Sequence, residues 1–337
     1  MDQPLVTVLM PAYNASSFLE EAIESILNQT YKNIDFLIIN DGSTDNSLTI
    51  INNYKDSRIR VISYKENRGI IETLNDGLTK AKGKYIARMD ADDYSMPQRI
   101  LKQVQLLENN PRVGIVGTYI QKNKKQVYRK RILNSNEIKA RLFFDNILSH
   151  PTIMFRSDIL KKSNLNYDKN YPHAEDYAFW INAFDSTDYA LIPEMMLRYR
   201  QHAEQISVVK RETQLASVFD VHSNLFSKMG INPNKKESYI HQKIFFIDYS
   251  YEPEFLTSVE NWLLKLKNAN NKITLFPISD FNNVLAWVWF EICTDFASKG
   301  FKTLQKYRQS NLYISEACSK YYFNKFRLKN KFSRKKI

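Results

Sequence analysis

Three carboxylates lie within four positions of one another, directly after a predicted strand. Residues 85–89 suit a buried strand, and Asp90, Asp92 and Asp93 follow it. Carboxylate oxygens are good ligands for a hard divalent cation, and Mg²⁺ is commonly held by one or two carboxylates together with phosphates. The same residues also suit an acidic turn before a helix, because Pro97 follows closely. The pattern alone therefore leaves a metal site and an acidic turn both open.

Polar loops follow the other predicted strands of the first half of the chain. The first predicted strand covers residues 5–10 and is followed by the loop of residues 12–14. The second, residues 36–39, is followed by the loop 41–45, and the third, residues 59–62, by the loop 67–69. Helical patterns alternate with these strands, which predicts an α/β fold with a mostly parallel, Rossmann-like sheet and helices on both faces. Ligands of such sheets lie beyond the carboxyl ends of the strands. All four loops are therefore expected to converge on one rim.

The second half of the chain has a different character. Beyond about Arg211 strand signals fade, glycine becomes rare, and long amphipathic helical patterns take over. The change predicts a boundary near residues 208–213. We therefore expect an α/β domain of residues 1–210 and an α-helical domain of residues 211–337.

Composition excludes several classes of protein. The net charge is +12, but from Gly300 onward eleven lysines and arginines face one acid, Glu316, so the first 299 residues carry only +2. A body-wide surface for nucleic acid is not indicated, and we expect no specific nucleic-acid partner. No uncharged apolar run reaches the length of a membrane-spanning helix. Cys293 and Cys318 lie far apart in a chain without a secretory signal, which favours a reduced, cytoplasmic protein.

Two segments are suited to contact with a bilayer. Residues 287–290, with Ile292 and Phe296, form too broad an apolar face for an exposed helix, and packing against the α/β domain or another subunit is the alternative. Residues 324–337 alternate cations such as Lys325 with large apolar side chains such as Leu328. Such a segment can dock on anionic lipid, and a disordered tail is its alternative. Docking predicts a peripheral protein at the inner face of the cell membrane.

The order of these motifs resembles the family-2 glycosyltransferases, the inverting, metal-dependent enzymes of the GT-A fold. The matching segments are residues 8–14, 40–45, 67–69, 90–93, 175–176 and 199–202. They extend over roughly residues 4 to 208, and the helical remainder matches no family pattern. The resemblance implies a nucleotide-diphosphate sugar as donor, most often with uridine, and Mn²⁺ or Mg²⁺ as cofactor.

The resemblance also assigns residues to the donor. The nucleotide-sugar set is Pro11, Ala12, Tyr13, Asn14, Asp41, Asn67, Arg68, Asp90, Ala91 and Glu175. In this assignment Asp41 accepts a hydrogen bond from the base, and Arg68 meets phosphate or its own acidic neighbours. From the residues alone, Tyr13 can equally be a packing ring, and Asp41 a turn residue.

The metal and the base are assigned in the same way. The resemblance gives Asp92 and Asp90 to the cation, with His202 as a further ligand. It makes Asp176 the base that takes the proton of the acceptor hydroxyl in a single displacement, with Glu175 orienting donor or acceptor. The residues themselves leave open a structural histidine and an acidic helix N-terminus.

The resulting prediction is an inverting transferase that moves a sugar from a UDP-sugar to a hydroxyl of a glycan or polyprenyl-linked oligosaccharide. The implied setting is bacterial surface polysaccharide synthesis, of capsule or O-antigen type. Two alternatives stay open, a protein-directed glycosyltransferase and a non-catalytic nucleotide-sugar or glycan-binding module on the same fold. A homo-oligomer is also compatible with the sequence.

Overall fold

A computed structural model describes residues 3–122, 125–126, 133–201, 210–315 and 319–335 of the chain. The chain forms two compact units. One consists of Met1–Ile132 with Leu148–Val218, and the other of Leu133–Ile147 with Phe219–Ile337. The sequence places a single division near residue 210. The structure divides the chain at residue 218 and adds a short segment of the first half to the helical unit.

The first unit is built on a mixed sheet. Its strands are β1 (Val6–Ala12), β2 (Ile34–Asp41), β3 (Ile59–Tyr64), β4 (Tyr85–Arg88), β5 (Tyr94–Ser95), β6 (Val113–Lys122), β7 (Lys125–Gln126), β8 (Met154–Arg156) and β9 (Asp188–Tyr199). Their order is β3-β2-β1-β4-β8-β6-β9-β5, and β7 pairs with β6. Strands β3, β2, β1 and β4 run parallel, as do β6 and β9, whereas β8 pairs antiparallel with β4 and β6. The predicted α/β fold is confirmed, with antiparallel strands added to its parallel part.

Helices connect the strands and build the second unit. In chain order they are α1 (Leu19–Leu27), α2 (Ser47–Asn53), α3 (Ile70–Lys80), α4 (Arg99–Asn109), α5 (Ser135–Leu142), α6 (Ser157–Lys162), α7 (Glu175–Asn182), α8 (Arg211–Lys228), α9 (Lys235–Phe245), α10 (Pro253–Ile273), α11 (Ile278–Ser298), α12 (Leu304–Gln309) and α13 (Lys320–Lys331). A short 3-10 helix covers His150–Thr152. The helical second half is confirmed.

The parallel strands bring their carboxyl ends to one edge. β1 is buried along its whole length, which explains its continuous apolar run. In the register of β1 and β2, Ala12 lies beside Asn40, and in that of β1 and β4, Leu9 lies beside Arg88. The loops after β1, β2, β3 and β4 therefore leave the sheet at the same edge. This is the convergence that the strand pattern predicts.

The broad apolar segment lies inside the second unit. Residues 287–290, Ile292 and Phe296 belong to α11, and every one of them is buried. Trp287 packs under the guanidinium of Arg141 from α5, with 4.3 Å between the guanidinium carbon and the ring centre. This segment is therefore core, not a bilayer contact. In the part of the chain that the structure describes, no helix is both long and apolar enough to span a membrane.

Candidate active site

The three carboxylates of the acidic loop come together after β4. Asp90, Asp92 and Asp93 each place one oxygen within 4.8 Å of the others. Asp93 is buried, and the other two are half-buried. Three carboxylate oxygens form a hard donor set, which suits Mg²⁺ or Mn²⁺. The structure thus groups the two predicted metal ligands and adds Asp93.

Asp93 has an oxygen that the protein leaves unsatisfied. Its Oδ1 accepts a hydrogen bond from the backbone N–H of Arg200 at 2.9 Å. Its Oδ2 is buried and has no hydrogen-bond partner among the described residues. Burial, and then the negative charges of Asp90 and Asp92, raise the pKa of the Asp93 carboxyl to about 8. A buried oxygen without a donor, beside two further carboxylates, fits a site for a divalent cation.

Two buried arginines lie behind the acidic loop. Arg88, the last residue of β4, donates a hydrogen bond from its guanidinium to the carboxylate of Asp90. Arg99, at the start of α4, donates Nη1–H to the backbone carbonyls of Arg88, at 3.1 Å, and of Pro151. These two cations offset part of the acidic charge. The sequence analysis does not predict Arg88 as a site residue. A charged residue inside a buried strand is nevertheless unusual enough to have indicated a special role.

Arg200 closes the loop from the other side. Its Nε–H donates to the carbonyl oxygen of Asp92 at 2.9 Å, and its guanidinium pairs with Glu21 of α1. The segment that follows β9 therefore lies against the acidic loop, as the motif order implies. His202 lies two positions beyond Arg200 and outside the described residues. Its role as a metal ligand stays a prediction.

The loops after β1 and β2 are bonded to each other. Asn14 has a left-handed φ of 47°, and its Oδ1 accepts the backbone N–H of Thr44 at 2.9 Å. The carboxylate of Asp45 accepts the backbone N–H groups of Ser16, at 3.0 Å, and of Ser47, at 2.9 Å. Although burial acts in the opposite direction, hydrogen bonds from the side chains and then from the backbone N–H groups of Ser47 and Ser16 lower the pKa of Asp45 to about 2. The side-chain oxygen of Asn14 thus bonds the loop after β1 to the loop after β2.

Asp41 organises the third loop of the rim. Its two carboxylate oxygens accept the backbone N–H groups of Arg68 and Gly69, each at 2.9 Å. The side chain of Asn67 donates to the backbone carbonyl of Asp41 at 3.3 Å. Gly69 has φ of 88°, a value that a glycine adopts without strain. In the structure the Asp41 carboxylate therefore holds the loop of residues 67–69. This role differs from both predictions for Asp41, a contact with the base and a turn residue.

The remaining donor residues differ in exposure. Pro11 and Ala12 are buried as the last residues of β1, and Ala91 is buried in the acidic loop. Tyr13 is 50% exposed, so it presents a ring at the rim and is not a core residue. The guanidinium of Arg68 lies over the ring of Tyr64 at 4.4 Å and, in the same region, pairs with Glu72 at 3.4 Å. Of the two predicted partners of Arg68, the structure shows the acidic neighbour.

A second pair of acids begins α7. Glu175 is buried, and its Oε2 has no hydrogen-bond partner among the described residues. Burial, and then the negative charge of Asp176, raise the pKa of the Glu175 carboxyl to about 7. Asp176 is half-buried, and its Oδ1 accepts the backbone N–H of Tyr177 at 2.6 Å. The pair therefore includes one half-buried carboxylate that a substrate hydroxyl can approach.

Tyr167 links the two sets of acids. Burial raises the pKa of the Tyr167 hydroxyl; Arg88 opposes this, and the charges of Asp176, Glu175 and Asp90 raise it further. Carboxylates from both sets thus act on the same hydroxyl. Its oxygen lies 2.9 Å from Nε2 of His150. The sequence offers no signal for Tyr167, since it lies in a loop without a motif.

The turn before α7 is held by α8. The carbonyl of His173, which has φ of 65°, accepts a hydrogen bond from the side chain of Gln214 at 3.1 Å. The hydroxyl of Ser217 donates to the carbonyl of Pro172 at 2.8 Å. Both donors lie in the part of α8 that belongs to the first unit. The two bonds therefore hold the backbone of residues 172–173, directly before the acid pair.

Known proteins resemble this chain in sequence and in fold. The model of glycosyl transferase family 2 matches residues 7–170. An uncharacterized glycosyltransferase of Haemophilus influenzae is 35% identical over 266 residues, which are 73% of this chain and 82% of the relative. The UDP-Glc:alpha-D-GlcNAc-diphosphoundecaprenol beta-1,3-glucosyltransferase WfaP of Escherichia coli is 32% identical over 236 residues, which are 69% of this chain and 89% of the relative.

Solved structures share the fold at low identity. S. aureus TarS in complex with UDP-GlcNAc has a TM-score of 0.58 and 17% identity, covering 86% of this chain and 88% of that one. The mannosyltransferase PcManGT from Pyrobaculum calidifontis, in complex with GDP-Man and Mn²⁺, has a TM-score of 0.56 and 15% identity, covering 99% and 89%. The family resemblance is confirmed. The chain belongs to glycosyl transferase family 2 and is a nucleotide-sugar glycosyltransferase of the GT-A fold.

Proposed function

We propose that this enzyme transfers a sugar from a uridine-diphosphate donor to a hydroxyl group, with inversion at the anomeric carbon. The observation that carries the proposal is geometric: three carboxylate oxygens lie within 4.8 Å of one another after β4, and a second acid pair, Glu175 and Asp176, begins α7 in the same unit. Such an arrangement lets one set serve the diphosphate of the donor while the other receives the proton of the acceptor. Inverting transfer needs these two tasks in one site.

Asp90 and Asp92, with Asp93 beside them, fit Mn²⁺ or Mg²⁺ and are proposed to hold it. His202 is retained as a proposed further ligand. When bound, the cation offsets negative charge on the departing nucleoside diphosphate. The protein contributes the arrangement, since Arg88 and Arg200 hold the acidic loop from two sides.

Asp176 is proposed as the base. The acceptor oxygen attacks the anomeric carbon and gives its proton to the Asp176 carboxylate. The bond from carbon to the acceptor oxygen forms as the bond to the diphosphate oxygen breaks, and the nucleotide leaves with the electron pair. Glu175 lies beside the base and is proposed to orient a sugar hydroxyl. One carboxylate suffices for the proton because no protonation of the leaving group is required.

The rim after β1, β2 and β3 is proposed to bind the nucleotide. Tyr13 offers an exposed ring, and Asp41 holds the loop that carries Asn67 and Arg68. A carboxylate oxygen can accept more than one hydrogen bond, so Asp41 retains capacity for the N–H group of a base. The name of WfaP and the complex of TarS support uridine as the base.

The acceptor is proposed to be a polyprenyl-linked oligosaccharide of bacterial surface polysaccharide synthesis, at the cytoplasmic face of the membrane. The support is the name of WfaP, which states a diphosphoundecaprenol acceptor for that relative. A protein-directed transferase remains the second candidate, but no structural observation favours it.

A nucleotide-sugar panel tests the donor. Thermal unfolding is followed with UDP-, GDP- and dTDP-sugars, each with and without Mn²⁺, because a ligand at about a hundredfold its Kd stabilises the folded state by about 2.7 kcal/mol. A UDP-sugar should raise the midpoint most strongly when Mn²⁺ is present. Product formed with that donor and a polyprenyl diphosphate glycan should show the inverted anomer by NMR. Stabilisation by GDP- or dTDP-sugars alone, or retention of configuration, contradicts the proposal.

A further inference from the structure

The C-terminal segment is a folded helix with a fixed orientation. Phe326 of α13 is buried, and its ring packs against Phe290 of α11 and Tyr307 of α12, at centroid distances of 5.6 and 5.5 Å. The side chain of Asn330 accepts the backbone N–H of Leu304 at 2.9 Å. Residues 319–335 are therefore not a disordered tail. The side of α13 that faces away from these contacts is equally well defined.

That outer side carries large apolar side chains. Tyr321, Leu328 and Phe332 are 65%, 59% and 76% exposed. With about 3.6 residues per turn, these positions fall on one narrow stripe opposite Phe326. Lys325 lies on the same stripe. A soluble protein surface seldom aligns three large apolar residues that are each more than half exposed.

Cations border the stripe on both sides, and acids are absent. Helical spacing places Lys329 on one side and Lys320, Arg327 and Lys331 on the other. Residues 319–335 contain no aspartate or glutamate. The stripe together with these cations is called the outer face of α13.

We propose that the outer face of α13 docks on an anionic lipid bilayer, with the helix lying in the plane of the membrane. The apolar stripe enters the boundary between headgroups and acyl chains, and the flanking cations meet anionic headgroups. Charge favours lipid over a second copy of the chain, because two copies would bring the same uncompensated cations together. The inference does not depend on the identity of the sugar or the acceptor.

Sedimentation of the full chain with vesicles tests the apolar stripe. Wild type should bind vesicles containing phosphatidylglycerol and should bind pure phosphatidylcholine far more weakly. Replacing Leu328→Ser together with Phe332→Ser removes two inserted side chains, so the affinity should fall at least about tenfold. The matched control is Tyr239→Ser with Ile273→Ser, two exposed apolar residues elsewhere in the same unit. This control should stay within about twofold of wild type.

A charge series tests the cations. Lys325→Gln, Lys329→Gln and Lys331→Gln combined should lower the affinity for anionic vesicles by about a hundredfold, since each cation near such a surface contributes about fivefold. Removing Lys235, Lys236 and Lys272 in the same manner should change it much less. Circular dichroism and the donor-dependent thermal shift show that each variant is folded and keeps its donor site.

Three results would overturn the docking proposal. The first is that the wild-type chain does not bind phosphatidylglycerol vesicles, and the second is that the Leu328→Ser, Phe332→Ser variant binds them as strongly as wild type does. The third is that light scattering shows a dimer for wild type and a monomer for this variant, while vesicle binding is unchanged. Because vesicles are used without donor or acceptor, failure here is separate from failure of the proposed transfer.

Discussion

The guanidinium group of Arg88 and the carboxylate of Asp90 form an ion pair at the point where β4 leaves the sheet. Arg88 is buried, and the oxygens of Asp90, Asp92 and Asp93 gather directly after it. The acidic loop is thus held together by a cation from inside the fold, and in the proposed mechanism a divalent cation from solution completes the balance of charge.

Arg88→Gln should destabilise the metal-free protein by about 3 kcal/mol, because three carboxylates lose their nearest buried cation. Mn²⁺ should restore more stability to the variant than it adds to wild type. Denaturant unfolding with and without Mn²⁺ measures both effects. Arg60→Gln, which breaks the half-buried pair with Asp35 at 2.8 Å, is the control that Mn²⁺ should not rescue. Equal effects of Mn²⁺ on both variants would refute this account of the loop.

Asp41→Asn should weaken nucleotide binding through the loop that Asp41 holds. The amide can accept only one of the two backbone N–H groups of Arg68 and Gly69, so stability should fall by about 1–3 kcal/mol. The Kd for UDP, measured by calorimetry, should rise about tenfold or more. Asp56→Asn is the matched control, because Asp56 also accepts a backbone N–H group, that of Arg58, but lies away from the rim. If Asp56→Asn weakens UDP binding as much, the effect of Asp41 is not specific to the donor loop.

Glu175 should shape the pH dependence of transfer. Its pKa is raised to about 7 by burial and then by the charge of Asp176, so it is protonated below that pH and ionised above it. The ionised form accepts a stronger hydrogen bond from a substrate hydroxyl than the protonated form does, and kcat/KM should therefore rise through pH 7. Glu175→Gln is neutral throughout and should lose this inflection. Glu194→Gln, at an exposed site on β9, should keep it; an unchanged profile in Glu175→Gln would exclude the role.

The helical unit should lose stability in acid through two buried histidines. Burial holds the pKa of His222 well below its ordinary value and lowers that of His241 to about 3. Nε2 of His241 donates to the carbonyl of Phe143 at 3.0 Å, and Nδ1 accepts the indole N–H of Trp262 at 3.1 Å, which fixes the neutral tautomer.

Below about pH 6.5 the unfolded chain binds protons that these folded histidines do not, so stability falls as the pH drops from there towards 3. His222→Phe should reduce the slope of unfolding free energy against pH by about 1.4 kcal/mol per unit. Chemical denaturation between pH 6 and pH 4 measures the slope. An unchanged slope in His222→Phe would show that His222 does not titrate on unfolding.

The parts of this molecule that follow local patterns could be predicted from the sequence. The four strand-end loops were located because parallel strands deliver their carboxyl ends to one edge. Contacts between distant segments could not be predicted. The bonds from Asp41 reach residues 27 and 28 positions away, and Tyr167 is held by Asn75 across 92 positions. No local signal assigns residues 133–147 to the helical unit, since an amphipathic helix can pack on either core.

The most direct test of the proposed transfer is Asp176→Asn, compared with wild type for donor affinity and for transfer rate. The variant keeps the size of the side chain and removes its capacity to take a proton. Its Kd for the UDP-sugar with Mn²⁺ should stay within about threefold of wild type, while kcat should fall at least about a hundredfold. Asp158→Asn, an exposed acid on α6, should leave both quantities unchanged. A transfer rate for Asp176→Asn within about threefold of wild type would contradict its role as the base.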